Sequence, residues 1–484
     1  MPPSSRRDVV LVAGASGFVG RALGRALSER YEPVGLSRRE RPASDGYARF
    51  VQCDLLSLED TARALEGARY AVYLVHSMLP TSRLTQASFE DLDLLCADNF
   101  ARAAARAGVE RIVYLGGLIP EGGTALSEHL ESRLEVERVL GGRGVPTTVI
   151  RAGIVLGAEG SSYQIVSRLV RRLPFMICPA WTRTKTQPVA LADVVSLVTF
   201  ALRDERTRGR VFDVGVPEVV TYLEIMQRYA AAIGLHRAFV PVWLFSPGLS
   251  RLWLSLVTGA PRALAAPLVE SLRHEMTARD AELAALAGMT PTSFDDALAK
   301  AVAEERALTV DPFGSSTTGT NGGPSTVVSI QRASLARGRD AAWAAREYPA
   351  WLSRALGWLL RVRVDDEGTM RFRLRLGGLE LLVLSPVPES SSSDRALYRV
   401  VGGALAKPHQ SGTLEFRTAK DDGTLLTIVR DFEPSLPWWI YRGTQSIVHE
   451  LIMRAFGRAL RHAPPGPEER SERRDALDAR SPDD

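Results

Sequence analysis

Cysteine is nearly absent: Cys53, Cys96 and Cys178 are the only three in 484 residues. They have neither metal-ligand spacing nor the even number of a disulfide framework, so a stapled secreted scaffold is excluded and a reducing cytosol is the expected setting. Charge of one sign is lacking too. Sixty Lys and Arg face 56 Asp and Glu, a net charge of +4. The arginines are spread along the chain, so a pI near 9.0 leaves no nucleic-acid footprint. Long hydrophobic runs are missing as well. The most apolar stretch, Val240 to Val269, is broken by Pro241, Pro247, Arg251, Pro261, Arg262 and Pro267. It never reaches the roughly 20 apolar residues of a spanning helix. Buried or substrate-covering helices are expected there, with membrane-surface contact as the minor alternative. Arg6 and Arg7 resemble the start of a leader, but Gly14 to Gly20 and Arg21 interrupt the apolar run, so a signal peptide is not expected. No Gly-x-Ser-x-Gly elbow occurs, and no His, Asp or Glu cluster has metal-ligand spacing.

What is present is ordinary in bulk: 45% hydrophobic and 24% charged residues describe a globular chain. A length of 484 residues suits two or three domains. The informative stretch is the first thirty residues. Asp8 to Ala13 reads as a buried strand, Gly14-Ala15-Ser16-Gly17-Phe18-Val19-Gly20 as a turn, and Arg21 to Arg30 as a helix. Gly14 permits the tight turn, Gly17 lets backbone approach a pyrophosphate, and Gly20 lets helix and strand pack closely. The helix start around Ser16, Phe18 and Val19 offers N–H groups to phosphate. A plain strand–helix turn would need only one of these glycines.

The next strands repeat the theme. Pro33 to Ser37 ends in Arg38 and Arg39, where many NAD sites place an acid for the ribose diol. Two arginines suit a 2′-phosphate and favour NADP(H) over NAD(H); a solvated basic turn is the alternative. Phe50 to Leu55 is a third strand, with Asp54 at its end to accept from an adenine amino group and Leu55 beside it. Tyr70 to His76 is the fourth and Arg111 to Gly117 the fifth, carrying His76 and Leu115 to the carboxyl edge, where open α/β sheets bind ligands. Helix patterns at Asp91 to Gly108 and Leu130 to Leu140 alternate with a strand at Thr147 to Arg151 and a last one at Arg210 to Gly215. This period of about 30 residues is the doubly wound signature.

Residues 1–240 therefore read as an NAD(P)-binding Rossmann-like domain with a parallel sheet. Residues 241–312 read as a helical substrate-region extension, with helices at Thr277 to Ala287 and Ser293 to Leu308, and residues 313–329 as a flexible linker. From 330 to 463 the period changes. Met370 to Leu376, Arg395 to Val401, Ser411 to Thr418 and Leu425 to Phe432 alternate as antiparallel strands, and Gly443 to Leu460 is a long amphipathic helix. An α+β domain of antiparallel sheet plus one long helix is expected. Residues 464–484 read as a disordered tail.

Gly14-x-x-Gly17-x-x-Gly20, Asp54-Leu55, Leu115-Gly116-Gly117-Leu118, Arg151-Ala152-Gly153 and Gln187-Pro188-Val189-x-x-x-Asp193-Val194 together resemble an atypical extended short-chain dehydrogenase/reductase. The stretch Leu268-Val269-Glu270-Ser271-Leu272-Arg273-His274-Glu275 is similar to a bacterial group that carries a C-terminal domain of START-like helix-grip character. The resemblance implies a Tyr and a Lys four apart on a helix, the first exchanging a proton with substrate and the second binding ribose. This chain has His129 and Arg133 instead. Their spacing puts both on one helix face. His129 is the candidate general acid and Arg133 the candidate ribose ligand, with His76 on the nicotinamide side as a further catalytic candidate. Solvated surface residues, or remnants contacting cofactor without reaction, are the alternative. Tyr114 reads as core and Lys185 as surface.

Two function classes stay open. One is an NAD(P)H-dependent oxidoreductase acting on a small or apolar carbonyl, enone or quinone-like substrate. The other is a catalytically inactive dinucleotide-binding sensor or scaffold, with lipid or isoprenoid binding by the second domain able to accompany either. The expected partners are a dinucleotide and an apolar small molecule, not nucleic acid.

Overall fold

The computed structural model describes residues 7–76, 84–121, 126–242, 271–307, 326–408, 411–419 and 423–464. The expected features in most of Val240 to Val269, in the linker and in the charged tail lie outside these residues. The chain forms two compact units.

In the first, β1 (Val9–Ala13) and α1 (Phe18–Leu27) are followed by β2 (Glu32–Ser37), β3 (Arg49–Gln52), α2 (Leu58–Leu65) and β4 (Tyr70–Tyr73). After β5 (Leu84–Gln86), which belongs to the second unit, come α3 (Phe89–Arg106), β6 (Arg111–Gly117), α4 (Glu128–Gly141) and β7 (Thr147–Ala152). Short strands β8 (Val155–Leu156), β9 (Phe175–Cys178), β10 (Lys185–Thr186) and β11 (Val189–Ala190), with helices α5 (Ser161–Arg172) and α6 (Leu191–Ala201), lead to β12 (Val211–Val214). Then follow β13 (Val220–Thr221), α7 (Tyr222–Ala232) and β14 (Ala238–Pro241).

Seven parallel strands form the sheet in the order β12-β7-β6-β4-β1-β2-β3. The chain runs from β1 outward through β2 and β3, then returns to β4 and runs the other way. The switch between β1 and β4 leaves a crevice at their carboxyl ends. The strands are buried on both faces, as Val10 to Ala13 show at 0–1% exposure, because helices cover both sides. Helix caps follow local sequence. Ser57 accepts from Asp60 N at the start of α2, and Thr221 with Glu224 forms a reciprocal capping box at α7. The expected helix at 277–287 shortens to Glu282–Leu286. Its first residues are held elsewhere: Ala278 N donates to Gln187 Oε1 at 2.7 Å and Arg279 pairs with buried Asp213. The next helix, Phe294–Ala307, matches the expected Ser293 to Leu308, and Ser293 Oγ accepts from Asp296 N at its start.

The second unit contains an eight-stranded sheet in the order β16-β17-β18-β19-β20-β21-β15-β5, where β15 is Val327–Ser334, β16 Leu360–Val364, β17 Met370–Leu374, β18 Glu380–Pro386, β19 Arg395–Gly402, β20 Thr413–Thr418 and β21 Thr424–Phe432. Seven of the strands pair antiparallel, and β5 adds parallel to β15. β15 starts inside the stretch read as linker. The sheet carries two long helices, not one: Ala341–Ala355 and Gln445–Arg461. Pro349 lies inside the first, a residue that helix interiors usually exclude. Tyr348, Phe416 and Phe456 fill the interior, with ring centroids 5.1–6.3 Å apart. Among the described residues no helix is long and apolar enough to cross a membrane.

Candidate active site

The glycine turn closes as its spacing predicts. Gly14 has φ +88°, and Gly17 N donates to Gly14 O at 3.0 Å. A Cβ on Gly20 would lie 2.3 Å from Gly14 O and 2.7 Å from Ala15 Cα, so α1 approaches β1 more closely than any side chain permits. Gly17 caps α1 without a side-chain hydrogen bond, and Ser16 and Gly17 are exposed. The first-turn N–H groups thus form an anion cradle at the β1/β4 switch. These residues fit a pyrophosphate.

On the β2–β3 side, Arg38 and Arg39 are exposed, and Arg39 N donates to Ser37 Oγ at 3.3 Å. Asp54 Oδ1 accepts from Leu56 N at 3.2 Å, closing the turn into α2, while the Leu55 carbonyl accepts from Asn99 Nδ2. These four residues and Ser16 stand outside the central cavity.

That cavity, about 500 Å³, runs from the turn along the ends of β4, β6 and β7. Gly14, Gly17, Phe18, Val19 and Gly20 line one end, with His76, Leu115, His129 and Arg133 beyond them. The far walls are mainly apolar, with Ile165 and Leu169 from α5, Trp181, and Met226 from α7, beside Thr186, Tyr222 and Ser271. Gly116 and Gly117 end β6, so no hydroxyl enters from that strand.

Helix α4 starts at Ser127, whose Oγ accepts from Leu130 N and meets Ser271 Oγ at 2.9 Å. One turn in, His129 and Arg133 project from the same face, and Arg133 Nη1 donates to Tyr114 Oη at 3.4 Å. His76 follows β4, which closes at Tyr73 rather than running on to His76 as the sequence pattern suggests. Its Nδ1 lies 2.8 Å from Oδ2 of Asp93 on α3, a carboxyl only 2% exposed. The His76 and His129 rings lie side by side with centroids 4.8 Å apart. His76 Nε2, His129 Nδ1 and Arg133 Nε are buried without hydrogen-bond partners. Burial, then the charge of Arg133, then His76 lower the His129 pKa to about 3, against the pull of Asp93. Burial and Arg133 also lower His76, opposed by its hydrogen bond to Asp93 and by that residue's charge.

The structure therefore brings His76, His129, Arg133, Leu115 and the glycine turn to one cavity. Lys185 is on the surface, 3.9 Å from Glu275, and Tyr114 is buried in β6. Asp93, which no spacing rule pointed to, completes the group.

Residues 14–173 match the family model described as NAD(P)H-binding. A stretch of 110 residues, 22% of this chain, is 31% identical to the auxiliary protein GraX of Staphylococcus aureus and spans 36% of that protein's length. Sanguinarine reductase of Eschscholzia californica is 26% identical over 262 residues, covering 44% of this chain and 91% of the reductase. Among solved structures, the NADPH-dependent quinone oxidoreductase QOR2 of Escherichia coli aligns with a TM-score of 0.48 at 19% identity, over 60% of this chain and 98% of that one. That likeness carries no functional argument. The family match and the glycine turn support a Rossmann-like, NAD(P)-binding first domain, followed by a distinct α+β domain.

Proposed function

We propose that the first domain is an NAD(P)H-dependent oxidoreductase that reduces a small or apolar carbonyl, enone or quinone-like substrate. The observation that carries this reading is the cavity itself, which continues from the phosphate cradle past two buried imidazoles into an apolar compartment. The name of the Eschscholzia californica relative, sanguinarine reductase, is in keeping with it. When bound, the reduced nicotinamide supplies the hydride. The chain's residues do the rest. The glycine turn holds the pyrophosphate, Arg133 binds the ribose, and Arg38 and Arg39 clamp a 2′-phosphate and set a preference for NADP(H). The apolar walls exclude water and orient the substrate. His129 exchanges a proton with its oxygen. We read the domain as an atypical extended short-chain dehydrogenase/reductase in which His129 and Arg133 take the places of the Tyr–Lys pair, and the second domain as helix-grip-like.

A non-catalytic dinucleotide sensor is the second reading. One observation favours it: an imidazole that stays neutral down to pH about 3 is, alone, a weak acid. The experiment that separates the two follows NADPH absorbance in the presence of 1,4-naphthoquinone and of an aromatic aldehyde. Substrate-dependent oxidation abolished by Gly17→Asp supports the oxidoreductase. Tight NADPH binding without oxidation of either kind supports the sensor.

A further inference from the structure

We propose that Asp93, His76 and His129 form one proton relay, in which His129 touches the substrate oxygen and Asp93 and His76 position it and store the proton it gives. The proposal rests on the oxidoreductase reading and supplies what His129 alone lacks.

Three observations converge on it. Asp93 is buried and accepts at 2.8 Å from His76 Nδ1, which fixes that ring's tautomer. The next ring along is His129, with centroids 4.8 Å apart, a separation that leaves room for an N···N hydrogen bond of about 3 Å after a small ring rotation. Finally, His76 Nε2 and His129 Nδ1, one on each of the two adjacent rings, are buried without hydrogen-bond partners, as is Arg133 Nε beside them. Buried polar atoms are almost always hydrogen-bonded, and the two orphans, on neighbouring imidazoles, are each other's candidate partners in the relay.

The step balances. In the charged form, His76 carries protons on both nitrogens beside the Asp93 carboxylate, and His129 carries one on Nε2. As the substrate carbonyl carbon receives hydride, the His129 Nε2 proton goes to the carbonyl oxygen. The His76 Nε2 proton passes to His129 Nδ1. The product is the alcohol, and both imidazoles are left neutral with their proton on Nδ1. One proton from solvent resets the pair. His129 never becomes an imidazolium, so its depressed basicity is no obstacle; the positive charge rests on His76, the ring that faces Asp93.

Among the described residues, charged and titratable groups reach this pair from several elements. Arg133 approaches from α4, Asp93 and Cys96 from α3, Tyr73 from β4 and Tyr114 from β6. Burial, first among the causes, raises both tyrosines and Cys96, so they stay neutral. Arg133 opposes a proton on His76 and Asp93 favours it. Reduction therefore speeds up as pH falls toward the His76 midpoint. Removing Asp93 takes away the one group that favours the proton on His76, so the midpoint falls and reduction slows at any pH above it.

The test uses the full-length protein with nitrogen-15-labelled histidine and needs no turnover. Imidazole nitrogen spectra of wild type should show His76 in the Nδ1–H form at neutral pH. In Asp93→Asn that preference should disappear and the His76 midpoint should fall, while Asp93→Glu restores both. In His76→Gln the His129 nitrogen shifts should change. Unchanged His76 spectra in Asp93→Asn, or unchanged His129 spectra in His76→Gln, overturn the relay. Circular dichroism checks that each variant folds, and if Asp93→Asn does not, His76→Gln decides alone. The kinetic arm follows NADPH oxidation by 1,4-naphthoquinone. A pH profile of kcat moved to lower pH in Asp93→Asn, with KM for NADPH held, supports the relay. A wild type that oxidises no NADPH refutes the oxidoreductase reading, while the spectra still decide whether the three groups are coupled.

Discussion

Replacing Gly20 by alanine would place a methyl carbon 2.3 Å from Gly14 O and 2.7 Å from both Ala15 Cα and Ala15 O. All three atoms are backbone, so no side chain can swing aside and α1 must lift from β1. Overpacking of this kind costs about 1–3 kcal/mol, and contact with rigid backbone puts Gly20→Ala at the upper end. Alanine returns about 1 kcal/mol of helix propensity. The expected net loss is about 2 kcal/mol, read from urea unfolding of the first domain's transition. Gly17→Ala is the control. Gly17 has φ −78°, which alanine adopts freely, and its Cβ would meet only Gly14 O, at 3.2 Å. Stability should stay within about 0.5 kcal/mol of wild type. NADPH affinity, by fluorescence titration, should nevertheless fall at least about tenfold, because the methyl stands where phosphate approaches. The two variants thus separate packing from binding. Gly20→Ala with wild-type stability would refute the close approach of α1 and β1, and Gly17→Ala with wild-type affinity would refute the phosphate cradle.

Three other outcomes are expected. Arg38→Ala combined with Arg39→Ala weakens NADPH about tenfold or more relative to NADH in parallel titrations; equal losses for both cofactors would assign the arginines to a solvated turn. His129→Ala lowers kcat about a hundredfold or more with little change in NADPH affinity, and retained turnover at every pH would remove it from proton transfer. In the second domain, Glu415 is bonded to Arg395 and Arg417, all three buried. Burial raises the Glu415 pKa, but the two guanidinium charges outweigh it and the net shift is downward. Its stabilisation is therefore present above the unfolded carboxyl pKa and is lost as pH falls through the lower folded value. Glu415→Gln should cost about 3 kcal/mol near neutral pH, and that cost should shrink in acid, as chemical unfolding at several pH values would show.

Much of the first domain is legible in sequence because its signals are local. Glycine spacing, strand hydrophobicity and caps such as Thr221 with Glu224 act within a few residues, though hydrophobicity locates strands better than their ends: β3 closes at Gln52 rather than Leu55, and β4 at Tyr73 rather than His76. His129 and Arg133 share a helix face by the same local rule, and His76 falls just past a strand end. Asp93 could not be found that way. Its pairing with His76 depends on how α3 packs beside β4, with β5 intervening in the chain. The second domain reads less well for related reasons. Pro349 masks one of its long helices, and β16 and β18 carry mixed patterns on partly exposed faces. The site's chemistry is a tertiary property, because burial lowers the imidazoles and only packing decides burial.

The pairing of β5 with β15 has a consequence for how this protein is made. Leu84 to Gln86 leave the ribosome roughly 240 residues before the strand they join, so the second sheet acquires its last edge from a segment synthesised long before the rest. A fragment beginning at residue 319 would contain seven of its eight strands and leave one side of β15 bare, an open edge on which like copies pair. Neither unit can be excised by a single cut, because residues 81–92 belong to the second unit while the chain on both sides of them belongs to the first.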